Sequence, residues 1–244
     1  MFKKLFKLLV VVVIVGAFLT YVRPDLFPVF QNQVKNAVAS VSQFVQNVTD
    51  STKNDQPSST AITWANKTPS GAPVRWDRCS VNLVVNPTNA PAGSLGIFKD
   101  AVKDTSKESK LALKVVDTHS NITADSGYGS SGDRNVLVVF AHTGQYKLTT
   151  SSEVAIWRSW TSGSGSEQKY TTGILVVNVD TFTSLPKTGT KSQYTVFLHE
   201  LGHLVGLGHS NDSRSVMHFD LGSNSTITAD MHTGFNKLLP STCN

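Results

Sequence analysis

The sequence predicts an α+β domain in its C-terminal two-thirds, where two kinds of pattern are interleaved. Short apolar runs bounded by Asn, Pro, Gly or Ser are typical of strands. They lie at residues 81–85, 111–115, 136–141 and 174–179. Apolar residues spaced three and four apart are typical of amphipathic helices, and such spacing follows Ser94 and Thr228. A further helix is expected to end near residue 205, and it contains part of the most informative motif of the chain.

The first 30 residues have the pattern of a signal anchor. Lys3, Lys4 and Lys7 precede an apolar run at residues 8–22, which matches a charged region followed by a hydrophobic one. The basic end is expected to stay in the cytoplasm and the rest to be exported. We expect a single-pass membrane protein with its C-terminal domain outside the cytoplasm; a cleaved signal peptide and a secreted domain are the alternative.

Residues 31–73 are expected to form a polar stalk or linker. They are rich in Gln, Asn, Ser and Thr, and residues 50–73 are typical of a flexible linker. Five valines recur at alternating steps of four and three between residues 34 and 48. This seam is barely two heptads long, so it predicts a short amphipathic helix; self-association or a pro-segment role is the alternative.

Residues 74–244 are expected to form the domain itself. Asn86-Pro87 ends its first strand, and Ser94 is expected to cap the helix that follows. Residues 117–134 are predicted to be a loop because they are rich in Gly, Ser and Asp. Residues 149–172 are likewise interpreted as a long loop, in which Trp157 and Trp160 either pin the chain to the core or wall a cleft.

The charge distribution argues against a nucleic-acid partner. Residues 1–75 hold eight Lys/Arg and three Asp/Glu, whereas residues 76–244 hold fourteen of each. The net charge of +5 therefore belongs to the N-terminal segment, and the domain is electrically balanced.

A metal-binding pattern lies at residues 199–209. On a helix, His199 and His203 project from the same face and can share one ion. Gly206 lies where the helix can end on a positive φ, so that His209 can reach the same ion after a turn. Three imidazoles with an open fourth position are typical of a catalytic zinc site, and Glu200 is placed to act as a general base.

This spacing, HExxHxxGxxH, resembles the metzincin metallopeptidases. Met217, eight residues after His209, matches the methionine turn of those proteins, and the short interval with the pair His209-Ser210 resembles the matrixin branch and its compact bacterial members. After Met217 the chain departs from the matrixin pattern, because His218-Phe219 replaces a Tyr-Pro-like pair. That departure concerns the specificity pocket and not the metal site.

The resemblance implies a zincin fold in which a twisted mixed sheet backs the active-site helix, followed by the methionine turn and a C-terminal helix. It implies one catalytic Zn²⁺ held by His199, His203 and His209, with Glu200 as general base and Met217 as an apolar support that is not a ligand. In that family one edge strand borders the cleft and pairs with extended substrate. Chain order suggests Val136–Ala141 or its flank for that role.

The function implied is hydrolysis of peptide bonds in a protein or peptide substrate, outside the cytoplasm. Two alternatives share the same residues: a zinc amidase acting on cell-wall peptides, and an inactive membrane-tethered binding module with the same fold. The intact Glu200 argues against the inactive module. The oligomeric state is not predicted.

Two further features have both a functional and a plain structural interpretation. Cys79 and Cys243 lie at opposite ends of the domain, where an exported protein is expected to join them in a disulfide; two buried free thiols are the alternative. A structural Ca²⁺ or second Zn²⁺ has possible ligands near the loop at residues 117–134, although solvated loop residues are the simpler interpretation. These ligands are Asp117, His119, Asp125, Asp133 and His142.

Overall fold

The computed structural model describes residues 62–118, 135–145, 153–189, 191–220, 226–240 and 243. All of them belong to a compact unit that extends from Ser59 to Asn244. The predicted signal anchor and the stalk up to residue 61 lie outside the described residues. Among the described residues, none of the helices combines the length and the apolar character needed to span a bilayer.

One mixed sheet organises this unit. Its strands are β1 (Arg75–Trp76), β2 (Ser80–Asn86), β3 (Ala112–Thr118), β4 (Val136–Ala141), β5 (Ala155–Ser162) and β6 (Lys169–Asn178). The order β3-β2-β4-β6 is parallel throughout, and the short β1 also pairs in parallel with the start of β6. β5 alone runs antiparallel, along the other side of β6.

Among the residues that the structure describes, four α-helices accompany the sheet. They are α1 (Ser94–Ser109), α2 (Val179–Phe182), α3 (Gln193–Val205) and α4 (Ala229–Leu238). α1 and α3 pack on one face, where the ring of Phe98 meets that of Phe197 edge-on at 5.1 Å between centroids. A smaller apolar cluster of β4 and β6 side chains, including Leu137 and Val176, occupies the other face. The zinc-motif helix α3 is therefore anchored in the main core.

The predicted strands and helices are present with small shifts at their ends. Thr228 precedes α4 at the N-cap position as predicted. Ser94 is instead the first residue of α1, and Gly93 occupies the cap position. The Ser94 hydroxyl donates to the carbonyl of Pro91 at 2.7 Å, so it fixes the entry to the helix without capping it.

The prediction that Val136–Ala141 lies at the edge of the sheet is wrong. β4 lies inside the sheet, between β2 and β6, and all six of its residues are buried. An uninterrupted apolar run such as VLVVFA suits a strand covered on both faces. The strand at the edge beside β6 is β5. It lies in the segment 149–172, for which the composition predicts a long loop. Its Ser, Thr and Arg residues suit a strand with one solvent-exposed face.

The domain also begins earlier than residue 74. Residues 62–66 pair with the chain that follows α3, and an antiparallel bridge joins Trp64 to Leu207. The linker-like composition of the surrounding stretch hid the pairing, because five residues are too few for the alternation of Ile62 and Trp64 with Thr63 to stand out as a strand. At the other end, Cys79 and Cys243 form a disulfide that ties the region before β2 to the C-terminus.

Candidate metal centre

Local sequence explains where the zinc-motif helix starts and stops. The Ser192 side chain accepts the backbone N–H of Thr195, and the Thr195 hydroxyl accepts the N–H of Ser192, so two unpaired donors are satisfied. The helix ends at Gly206, whose φ of 123° is accessible to glycine and strained for other residues. This end lets the chain turn back within a few residues of His203.

The turn brings three imidazoles together. The metal-ligating nitrogens of His199, His203 and His209 lie within 4.8 Å of one another, and they are the one group of three or more possible ligands among the described residues. The Nε2 atoms of His199 and His203 are 3.0 Å apart. The structure thus assembles the three histidines that the motif indicates.

Backbone carbonyls orient two of these rings. Nδ1 of His199 lies 2.7 Å from the carbonyl oxygen of Val216, and Nδ1 of His203 lies 2.7 Å from that of Leu207. A carbonyl oxygen only accepts, so both Nδ1 atoms carry the proton and both Nε2 atoms keep a free lone pair. Hydrogen bonds of this kind fix the tautomer and direction of metal-ligating histidines.

Met217 closes the site from below. It is fully buried, and its sulfur packs against Gly202 so closely that a Cβ on Gly202 would overlap it. The adjacent Val216 supplies the carbonyl that orients His199. The turn containing Met217 therefore acts as a support beneath the three histidines.

The residues present fit a zinc ion. Tetrahedral zinc binds imidazole nitrogen at about 2.0–2.1 Å, which separates two such nitrogens by roughly 3.4 Å. The 3.0 Å between the Nε2 atoms of His199 and His203 is near that spacing. Burial also lowers the pKa of His209, which favours the neutral imidazole that binds a cation. No fourth protein ligand joins this group among the described residues, so a coordination position is left for substrate or water.

Burial sets the charge state of the site. Loss of solvation lowers the pKa of His199 to about 4 and that of His203 to about 3, so both imidazoles are neutral and able to bind a cation. Burial, together with the charge of Glu153, raises the pKa of Glu200 to about 8, while a backbone hydrogen bond from Trp157 lowers it. A dication at the histidines would favour the ionised form of Glu200.

Glu200 and the three histidines line one cavity of about 590 Å³. One wall consists of residues 153–157, which are the start of β5 and the two residues before it. The opposite rim carries Phe219, which is 73% exposed, and a salt bridge of 3.6 Å between Lys191 and Asp220. Phe219 belongs to the pair that the sequence analysis linked to the specificity pocket, and it does line the cavity. Sequence reasoning did not assign Glu153, Lys191 or Asp220 to the site, because nothing in the motif says which distant residues border it.

The remaining candidates lie elsewhere. His218 does not line the cavity; its Nδ1 lies 2.7 Å from the carbonyl oxygen of Asp220. Nδ1 of His142 lies 2.7 Å from a carboxylate oxygen of Asp180. Hydrogen bonds with the Thr143 backbone N–H and the His142 ring lower the pKa of Asp180. The other proposed ligands of a second metal, Asp117, His119, Asp125 and Asp133, lie outside the described side chains.

Comparison with known proteins decides the family. The matrixin peptidase family model matches residues 96–238, which is more than half of the chain and includes the whole metal motif. The chain belongs to the matrixin family. The resemblance inferred from HExxHxxGxxH and Met217 is therefore confirmed, as is the α+β metzincin-like fold.

Among solved structures, 82 chains match this matrixin. One is metalloproteinase-II from Bacteroides fragilis, with 13% sequence identity and a TM-score of 0.40. The match covers 77% of this chain and 60% of that chain, so the matrixin spans about three-fifths of the length of that protein. A search of curated proteins gave no significant match.

Proposed function

We propose that this matrixin is a zinc-dependent endopeptidase that acts outside the cytoplasm, with Glu200 as its general base. One observation carries the proposal: Glu200, the three histidines and the strand β5 line the same open cavity. A base, a metal centre and a strand edge for an extended peptide are the parts that peptide hydrolysis requires.

Substrate binding would use the free edge of β5. On one side β5 pairs with β6, and no strand among the described residues pairs with its other side. An extended peptide that adds to this edge gains main-chain hydrogen bonds regardless of its sequence. Its side chains would alternate between the cavity and solvent, so apolar wall residues such as Leu185, Val196 and Phe219 favour an apolar side chain in the cavity.

His199, His203 and His209 would hold zinc, which would supply a Lewis acid for the scissile carbonyl and for the attacking water. Glu200 accepts the proton of the attacking water and then delivers it to the leaving amine, so the carboxylate is regenerated. The backbone hydrogen bond from Trp157 holds this carboxylate at the β5 wall. Val216, Leu207 and Met217 keep the histidines in place and touch no reacting atom.

Two separate features support a location outside the cytoplasm. Residues 1–30 have the pattern of a signal anchor, and the basic end before the apolar run favours export of the residues C-terminal to that run. Disulfides such as Cys79–Cys243 persist in oxidising compartments and are rare in the cytosol. Maleimide labelling of intact cells would test this: no labelling of Cys79 without a reductant is expected, and full labelling would contradict an oxidising location.

The activity is tested with the full chain in mild detergent, on an unfolded protein and, in parallel, on cell-wall peptide fragments. Cleavage of the unfolded protein is expected, together with its loss on chelation and its return on adding zinc. Cleavage of cell-wall fragments alone would contradict the endopeptidase and indicate the amidase. A zinc-loaded, folded protein that cleaves neither would indicate a binding module.

A further inference from the structure

The segment at residues 62–66, here called the arm, is bound directly to the loop that carries His209. The backbone N–H of Thr63 donates to the carbonyl of His209 at 3.0 Å, and the N–H of Gly208 donates to the carbonyl of Thr63 at 2.8 Å. The Thr63 hydroxyl also donates to the His209 carbonyl, at 2.8 Å. The arm therefore has a fixed position beside the third zinc ligand.

The far end of the arm is tied to the sheet. The side-chain amide of Asn66 donates to the hydroxyl of Ser159 on β5 at 3.0 Å and to the hydroxyl of Tyr170 on β6 at 3.1 Å. Both hydrogens of one amide group are used in this way. The arm is consequently held at both ends, by the zinc-binding loop and by the edge of the sheet.

A second cavity of about 480 Å³, here called the trench, lies between the arm and β5. The arm lines it through its last four residues, Thr63 to Asn66, and β5 lines it through residues 157–159. His203 and His209 border both the trench and the zinc cavity, whereas Glu200 borders only the zinc cavity. A single extended chain laid along β5 would pass through both.

The direction of such a chain follows from strand pairing. Antiparallel pairing is slightly more stable per residue than parallel pairing. A substrate antiparallel to β5 would enter beside Ser159 and leave beside Ala155. The residues before the scissile bond would then occupy the trench.

We propose that the arm is the outer wall of the substrate cleft and that Ala65 limits the size of substrate residues before the scissile bond. Side chains along an extended segment alternate between its two faces. A Cβ placed on Gly234 of α4 would meet both Ile62 and Trp64, so these two residues face the helix. By this alternation the side chains of Thr63 and Ala65 face the other way, and both residues line the trench, which Trp64 also borders. The proposal rests on the proposed peptidase function and adds a subsite made by the N-terminal segment of the domain.

The test compares Ala65→Phe with Ala72→Phe, which changes an exposed alanine that lies after the arm and does not line the trench. The substrates are the peptides Ala-Ala-Ala-Leu-Ala-Ala and Ala-Leu-Ala-Ala. With the Ala–Leu bond as the expected scissile bond, they differ only in the number of alanines before it. In Ala65→Phe, kcat/KM for the long peptide should fall about tenfold more than for the short one, because a bulky side chain fills the space of the longer peptide. Ala72→Phe should show no such difference. Zinc content should be equal in the wild type and in both variants.

Binding provides a readout that does not depend on catalysis. In a Glu200→Gln background, the Kd of the fluorescein-labelled long peptide should rise about tenfold on adding Ala65→Phe, and much less for the short peptide. Equal changes for both peptides, or no change for either, would overturn the proposal. A wild type that cleaves neither peptide contradicts the peptidase function instead, and the binding comparison still decides the role of the arm. Ala65→Val replaces Ala65→Phe if the larger side chain prevents folding.

Discussion

The floor and the rim of the zinc cleft differ in how they are built. On the floor, His199 and Glu200 are less than 10% exposed and Met217 is fully buried. At the rim, Phe219 is 73% exposed and Lys191 and Asp220 form a surface ion pair. Changes to the floor have to disturb packing or the metal, whereas changes to the rim need only alter what the cavity accepts. This contrast separates the chemistry of the site from its selectivity.

The largest effect is expected from His203→Ala, which removes a ligand from the floor. Zinc content should fall below one equivalent after dialysis, and peptidase activity should fall with it, because two histidines give an incomplete site. Zinc analysis and activity are measured on the same samples. His232→Ala is the control, since that histidine lies on α4 outside the metal group and should leave both quantities unchanged. Full zinc occupancy in His203→Ala would contradict the assigned ligand set.

A smaller effect is expected from Gly202→Ala, which changes only the packing beneath the metal. The new Cβ would overlap the buried Met217 sulfur, and overpacking of a core typically costs about 1–3 kcal/mol. The free energy of unfolding, measured by denaturant titration, should fall despite the better helix propensity of alanine. In the matched control Gly96→Ala on α1, nothing lies within 4 Å of the new Cβ. That variant should gain about 0.5–1 kcal/mol; equal gains in both variants would contradict the close packing of Met217.

The smallest effect on stability is expected at the rim, from Phe219→Ala. This exposed side chain should change the free energy of unfolding by no more than about 0.5 kcal/mol. It lines the zinc cavity, so the preference for large over small apolar residues after the scissile bond should change by up to about tenfold. Peptide pairs with leucine or alanine at that position measure this. Val116→Ala, which changes a half-exposed residue on β3, is the control and should leave the preference unaltered.

The same contrast explains which parts of the molecule could be predicted from sequence. The floor is local: His199, His203, Gly206 and His209 lie within eleven residues, and helix geometry with one sharp turn brings them together. β4 was also recognisable as a strand, although not as an interior one, because a six-residue apolar run between polar segments is too short for most helices. In these segments local pattern and tertiary environment agree.

The cleft walls could not be predicted in this way. β5 carries Ser, Thr and Arg on an exposed edge, and it is defined by its pairing with the separate strand β6. The arm depends on partners more than 90 residues away, such as Ser159 and Tyr170 for Asn66. Long-range hydrogen bonds between polar residues leave no periodic signal, so composition alone predicts loop or linker for both segments.

The central claim is that Glu200 performs proton transfer at a zinc site that the three histidines hold without it. The most direct measurement compares wild type with Glu200→Gln, for both zinc content and cleavage of an unfolded protein. Because Glu200 is not one of the clustered ligands, the variant should retain one zinc per chain. Its rate should fall by a factor on the order of 10²–10⁴. Cleavage by Glu200→Gln at the wild-type rate, with zinc bound, would contradict the account.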